Sequence, residues 1–211
     1  MLALYASPLC PFAQRCTALL HHLDIKFETR EVDLDARDPE FLKESPTGRV
    51  PLLIDGKNKL WESRVINDYI ATTFGFKTAY SEDPYARARE QLLMTDWDSQ
   101  VVAIHMRALR NKDSFDRPAR KQLVAMLGEF AKTLHLAEWS VINLIGMHCA
   151  PFWARMDWMR EHSPVPGLID EFVNIKKWLD SAVSFAPVQR TLPNREEVVN
   201  RYHRVFVSPE T

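Results

Sequence analysis

Ser7-Pro8-Leu9-Cys10-Pro11-Phe12-Ala13-Gln14-Arg15 decides how the rest of the chain is read. A short apolar run, Leu2 to Tyr5, precedes it, and a helix-like run, Gln14 to Leu23, follows. A cysteine therefore stands where a strand hands over to a helix. Pro11 suits the first helical position, where its missing N–H costs no hydrogen bond. The Cys10 sulfur would then face the unpaired N–H groups and the positive dipole end of that helix. Such a setting favours thiolate, the reactive form, over thiol. Read locally, a small apolar residue in a turn accounts for Cys10 equally well.

Outward from this turn, residues 1–76 alternate strand-like and helix-like segments. Leu2–Tyr5 reads as a buried strand, Phe27–Val32 as an alternating second one. Asp38-Pro39-Glu40 starts a short helix with an N-cap, a proline at the first position and an early acid, and Phe41 and Leu42 give it an apolar contact. Val50–Ile54 is a third strand, Asp55-Gly56 a tight turn and Leu60-Trp61 the returning strand. Ser63 is read as the cap of a helix carrying Ile66, Tyr69, Ile70 and Phe74 at a period near 3.6, ended by Gly75. The order βαβαββα predicts an α/β domain over 1–76 with a mixed sheet and helices on its faces. Residues 77–84 are polar and read as a linker, and 85–211 as an all-α domain. Its helical faces are Leu93, Trp97, Val101, Ile104 and Ala108; Leu123, Met126, Leu127, Phe130 and Leu134; and Leu168, Phe172, Ile175, Leu179 and Ala182. Asn143 caps a helix over 143–158 that Pro151 kinks, and Asn194 with Glu197 predicts a capping box.

Composition narrows the function classes. The 211 residues are 46% hydrophobic and 26% charged, ordinary for a soluble globular protein. A net charge of −1 gives no nucleic-acid footprint and no polybasic membrane patch. Three cysteines at 10, 16 and 149 do not suggest a disulfide framework, which favours a reducing, cytoplasmic location. No apolar run reaches the roughly 18 residues of a membrane helix, and Cys10-Pro11 and Gln14-Arg15 break any signal-like start. The histidines and cysteines show no zinc-ligand spacing. His21 and His22, being adjacent, point to different sides of their helix.

Two further points carry chemistry. Val50-Pro51 places a proline where a ladder donor is missing, and a cis bond there would open the Val50 backbone to strand-like pairing with a small peptide. An edge strand that starts at Pro51 explains it as well. Glu62-Ser63 lies at a strand-to-helix junction, where Ser63 and free N–H groups suit a carboxylate and Glu62 an ammonium group. Plain helix capping accounts for Ser63 alone.

The Cys-Pro-Phe turn, the Val-Pro step and the Trp61-Glu-Ser-Arg-Val-Ile66 helix start, in this order, resemble the glutathione transferase superfamily. Ser7–Arg15, Ser45-Pro-Thr-Gly-Arg-Val-Pro51 and Asp83-Pro-Tyr85 are similar to its omega class, which uses a cysteine. The resemblance implies a thioredoxin-like N-terminal domain, an all-α C-terminal domain, glutathione as co-substrate without a metal, and a homodimer. It implies Cys10 as the nucleophile that forms a mixed disulfide with glutathione. Phe12 contributes backbone contact, Val50 before a cis Pro51 pairs with the cysteinyl backbone, and Glu62 and Ser63 hold the γ-glutamyl end. The family's basic residue for the glycyl carboxylate falls on Ala36, and Arg37, one position on, substitutes for it. The implied chemistry is thiol transfer or dehydroascorbate reduction, with an electrophilic or disulfide small molecule or protein as second substrate. Cys16 is a poor resolving thiol, off the helical face of Cys10, and Cys149 reads as core.

The C-terminal half departs from the family pattern. Asn143-Leu-Ile-Gly146 replaces its Ser/Thr-x-x-Asp capping box, leaving the cap without the returning acid. Ile142 and Met147 would supply a hydrophobic staple. Leu60–Tyr69, Ala88–Trp97 and Ala119–Leu123 also resemble stringent starvation protein A, which shares the fold and acts by binding RNA polymerase. That family generally lacks the catalytic cysteine, so Cys10-Pro11-Phe12 favours chemistry. A Cys-Pro-Phe-x-Gln-Arg turn is shared with chloride intracellular channel proteins as well.

Overall fold

In a computed structural model, residues 2–136 and 143–208 are described, the side chains of 134–136 excepted. The chain divides into two compact units, Met1–Ala79 with Phe185–Pro193, and Tyr80–Ser184 with Asn194–Thr211.

The first unit is thioredoxin-like. Its elements are β1 (Leu2–Ala6), α1 (Pro11–His22), β2 (Glu28–Glu31), α2 (Pro39–Glu44), β3 (Leu52–Asp55), β4 (Asn58–Trp61) and α3 (Ser63–Thr73). The sheet runs β2-β1-β3-β4, with β1 parallel to β2 and antiparallel to β3, and β3 antiparallel to β4. Tyr5 pairs with Leu52, and Leu52 with Trp61, so the ladder stops two residues after Val50. β1 is apolar and central; β2, Glu-Thr-Arg-Glu, is exposed throughout and forms a charged edge, which resists pairing with another chain. Leu19, Leu20, Leu53, Ile66 and Ile70 are fully buried, and Phe41 brings α2 onto Val32 and Leu52. Asp38 caps α2 by accepting from Glu40 N at 2.6 Å, as the sequence predicts. Gly75, at φ 69°, follows Phe74, the C-cap of α3, in the left-handed conformation that glycine adopts freely. Phe185–Pro193 adds α10 (Ala186–Gln189) to this unit, a return that the linear boundaries read from the sequence leave out. Gln14 fastens it, donating to Val188 O at 3.3 Å and Thr191 Oγ1 at 3.2 Å.

One local expectation changes. Ser63 does not cap α3; Glu62 occupies the cap with φ 68° and ψ 114°, and Ser63 is the first helical residue. Glu62 is the single residue between β4 and α3, and it makes the junction with a positive φ.

The second unit is helical. It holds α4 (Pro84–Asp96), α5 (Ala103–Arg110), α6 (Arg117–Leu136), α7 (Leu144–Trp158), α8 (Val165–Asp170), α9 (Val173–Ser184) and α11 (Arg195–Tyr202). The predicted face Leu93–Ala108 is buried, but a π-type turn over Trp97–Val102 joins α4 to α5. The third predicted face is split: Glu171 N and Phe172 N bond back three residues to Leu168 O and Ile169 O, and this tightening ends α8 before α9 begins. Asn143 caps α7 through Gly146 N at 3.0 Å, and Asn194 caps α11 through Glu196 N and Glu197 N. Pro151 lies inside α7, whose helix continues on both sides. Ile142 of the expected staple, and the Leu134 side chain, lie outside the described residues. Trp97, Trp153 and Cys149 are buried in the core between these helices, with Trp178 packed against it. Among the described residues no helix is long and apolar enough to cross a membrane.

Candidate functional site

Cys10 is the residue before α1, extended at φ −88° and ψ 114°, and Pro11 opens the helix as predicted. A turn holds it there: Cys10 N donates to Ser7 O, and Gln14 N to Cys10 O, both at 3.0 Å. The sulfur is largely buried, the residue 8% exposed, with Sγ 3.8 Å from Val50 O. The fold thus brings together two points 40 residues apart in sequence. Val50-Pro51 is a cis peptide bond.

A shallow cavity of about 110 Å³ adjoins this contact, lined by Phe12, Thr47, Arg49, Val50, Pro51, Trp61, Glu62 and Ser63. Five of the residues read from the sequence therefore share one cavity, and Cys10 touches its Val50 wall. Arg37 does not line it. It is exposed on the segment before α2, and the cation at the cavity is Arg49. A larger cavity of about 250 Å³ in the same unit is lined by residues such as Gln14, Thr17, Glu31 and Arg190. None of the candidate residues borders it.

Glu62 is exposed and conformationally costly, since φ 68° with ψ 114° lies outside even the small left-handed well of ordinary residues. Ser63 beside it is buried, and its Oγ accepts from Arg15 Nη1 at 3.4 Å. Arg15 is fully buried, with its guanidinium carbon 5.0 Å from the Phe12 ring centre, and its carbonyl accepts from Asn67 Nδ2 at 3.2 Å. One buried cation therefore supports two walls of the cavity, Phe12 from below and Ser63 at the helix start. Arg15, Arg49, Thr47 and Trp61 were not singled out from sequence. For Arg15 a signal was present: it lies three residues after Phe12, on the same helical face.

The other two cysteines do not line this cavity. Cys16 is fully buried, with Sγ near Ser63 O (3.7 Å) and Phe12 O (3.9 Å), and burial pushes its thiol pKa up strongly, against a smaller opposing effect of Arg15. It stays protonated at neutral pH. Cys149 is core, and no cysteine is in a disulfide. His21 packs edge-on against Phe27, and His22 against Phe76 and Phe185, in aromatic contacts.

Residues 1–72 match the family model described as glutathione S-transferase, N-terminal domain. A probable glutathione S-transferase from Nicotiana tabacum is 25% identical over 202 residues, 93% of this chain and 90% of that protein. Glutathione S-transferase omega-1 from Mus musculus is 29% identical over 129 residues, 61% of this chain but only 52% of that protein. Among solved structures, glutathione transferase Omega 1C from Trametes versicolor superposes with a TM-score of 0.80 at 18% identity, covering 99% of both chains. The chain is similar to glutathione S-transferases, the omega class among them, and the match to their N-terminal domain falls within its first unit. It has their fold from end to end.

Proposed function

We propose that the protein is a glutathione transferase of the cysteine type that carries out glutathione-dependent thiol transfer. The observation that carries this reading is the contact of Cys10 with Val50, which lines one cavity together with the Glu62-Ser63 helix start. The chemistry of each suits a distinct role. The Val50 N–H and C=O lie beyond the sheet ladder and can pair with the cysteinyl backbone of glutathione. Glu62 accepts from the γ-glutamyl ammonium, and the first turn of α3 offers N–H groups to its carboxylate. Arg49 supplies the cation for the glycyl carboxylate in place of Arg37. The cavity is smaller than the roughly 300 Å³ of a typical ligand site, which suits a peptide lying along the surface with only its middle seated.

The reaction follows in two exchanges. Cys10 thiolate attacks the glutathionyl sulfur of a mixed disulfide, forming the Cys10–glutathione disulfide and releasing the substrate as thiolate. A second glutathione thiolate attacks the glutathionyl sulfur on Cys10, giving glutathione disulfide and restoring the Cys10 thiolate. Cys16, buried and protonated, takes no part, so the scheme needs one protein thiol. Dehydroascorbate reduction draws on the same cycle, with two glutathione molecules oxidised per molecule reduced. The protein acts in the cytoplasm as a pair of identical chains; the exposed apolar side chains of Val65 on α3 and of Tyr85 and Leu92 on α4 support self-association.

The test is retention on immobilised glutathione, coupled to turnover of a glutathionylated peptide. Wild type is retained and active, and Cys10→Ala is folded and inactive. Absence of glutathione binding combined with recovery of RNA polymerase in a pull-down would replace this reading with the regulator of the stringent starvation type.

A further inference from the structure

The second unit holds a histidine pair that the proposed chemistry does not use. His162 follows α7 and His203 follows α11, 41 residues apart in sequence. Their Nε2 atoms are 2.8 Å apart, their ring centres 4.2 Å apart and their planes at 84°. The two nitrogens are within hydrogen-bond distance, and the ring spacing compares a straight hydrogen bond with a second way of placing two imidazoles. A straight N–H···N hydrogen bond of that length would hold the ring centres about 5 Å apart, since each ring extends away along the bond. Two imidazoles that aim their nitrogens at one ion, about 2.05 Å from each, lean toward each other instead; the same N···N separation then gives ring centres about 4.4 Å apart and an angle of about 86° at the ion. The observed spacing fits the second arrangement.

We propose that His162 and His203 form a cis bis-imidazole site for a late divalent transition-metal ion. The near-right angle suits the tetragonal preference of Ni(II) and Cu(II) over the tetrahedral preference of Zn(II). Both backbones are fixed. His162 N donates to Met159 O at 2.9 Å, and the His203 N–H bonds back into the last turn of α11. Both rings border a cavity of about 680 Å³ that leaves room for water ligands and is lined by Asp157, Glu161 and Glu196 and by the cations Arg160 and Arg195. Among the described residues no group of three His, Cys, Asp or Glu side chains is placed to hold a metal, so two imidazoles and water complete the site. Lys112 is a nearby cation, bonded to Glu161 O at 3.0 Å. Affinity therefore comes from the nitrogen donors rather than from net charge, and Mg(II), which prefers oxygen, is excluded.

The test titrates the full chain with NiCl2 by calorimetry. One saturable site is expected, weakened at least about tenfold in His203→Gln and in His162→Gln, because each keeps a single imidazole. MgCl2 is expected to give no binding. A measurement on wild type alone guards against misfolded variants: substoichiometric Ni(II) should broaden the amide signals around 162 and 203 first. Broadening centred elsewhere, wild-type affinity in a folded His203→Gln, or equal binding of Mg(II) overturns the proposal.

Discussion

Glu62→Gly separates backbone strain from ligand binding, because the two effects have opposite signs. Glu62 sits at φ 68° and ψ 114°, a conformation that costs a residue with a Cβ about 1–3 kcal/mol. Glycine adopts it freely, at an entropic cost of about 0.5–1 kcal/mol from its looser unfolded chain. The net expectation is a gain of about 1 kcal/mol, read as a rise of about 2–4 °C in the thermal midpoint for a chain of this size. The same change removes the carboxylate proposed to hold the γ-glutamyl ammonium. That group is exposed, so its hydrogen-bonded ion pair is worth about 1–2 kcal/mol, or a loss of glutathione affinity of about 5–30-fold. Glu62→Gln keeps the strain and loses the charge, so it should weaken binding with no gain in stability. Differential scanning calorimetry and isothermal titration with glutathione read the two quantities. A Glu62→Gly protein that melts no higher than wild type refutes the strain argument. Wild-type affinity in both variants removes Glu62 from the site.

Three other outcomes are expected. Arg49→Ala should raise the glutathione KM several-fold while Arg37→Ala leaves it near wild type; the reverse result would return the glycyl carboxylate to Arg37. Cys16→Ala should leave the rate of thiol transfer unchanged, because burial keeps that thiol protonated, and a large loss of rate would give Cys16 a redox role. His105 is 1% exposed, its Nδ1 2.9 Å from Ser163 Oγ, and burial pulls its pKa down to about 3. The unfolded chain takes up a proton near pH 6.5 that folded His105 refuses until about pH 3. Stability should therefore fall as pH drops across that interval, by up to about 1.4 kcal/mol per unit from this residue. Denaturant titrations should show a shallower pH slope in His105→Gln, and an unchanged slope would assign the acid sensitivity to other groups.

The order of elements in the first unit was legible because its punctuation is local: Pro11 and Asp38-Pro39 start helices, Asp55-Gly56 turns a hairpin, and Gly75 ends a helix. Features set by long-range packing were not. Ser63 looked like a cap, yet the buried Arg15 guanidinium approaches its hydroxyl and Glu62 occupies the cap. The single period through Leu168–Ala182 concealed a break, because both pieces bury the same face. At the site, motif residues could be placed by order along the chain. The cation could not, since Arg37 and Arg49 are both exposed and only the folded chain shows which of them reaches the cavity. The pairing of His162 with His203 left no trace in spacing at all.

The central claim is that Cys10 is the thiol that takes glutathione. Intact-mass spectrometry after incubation with glutathione disulfide, followed by peptide mapping, tests it most directly. Wild type should gain one glutathionyl group, located on Cys10 and released by free glutathione, and Cys10→Ser should gain none. A label on Cys16 or Cys149, or no label on the folded wild-type chain, would contradict the account.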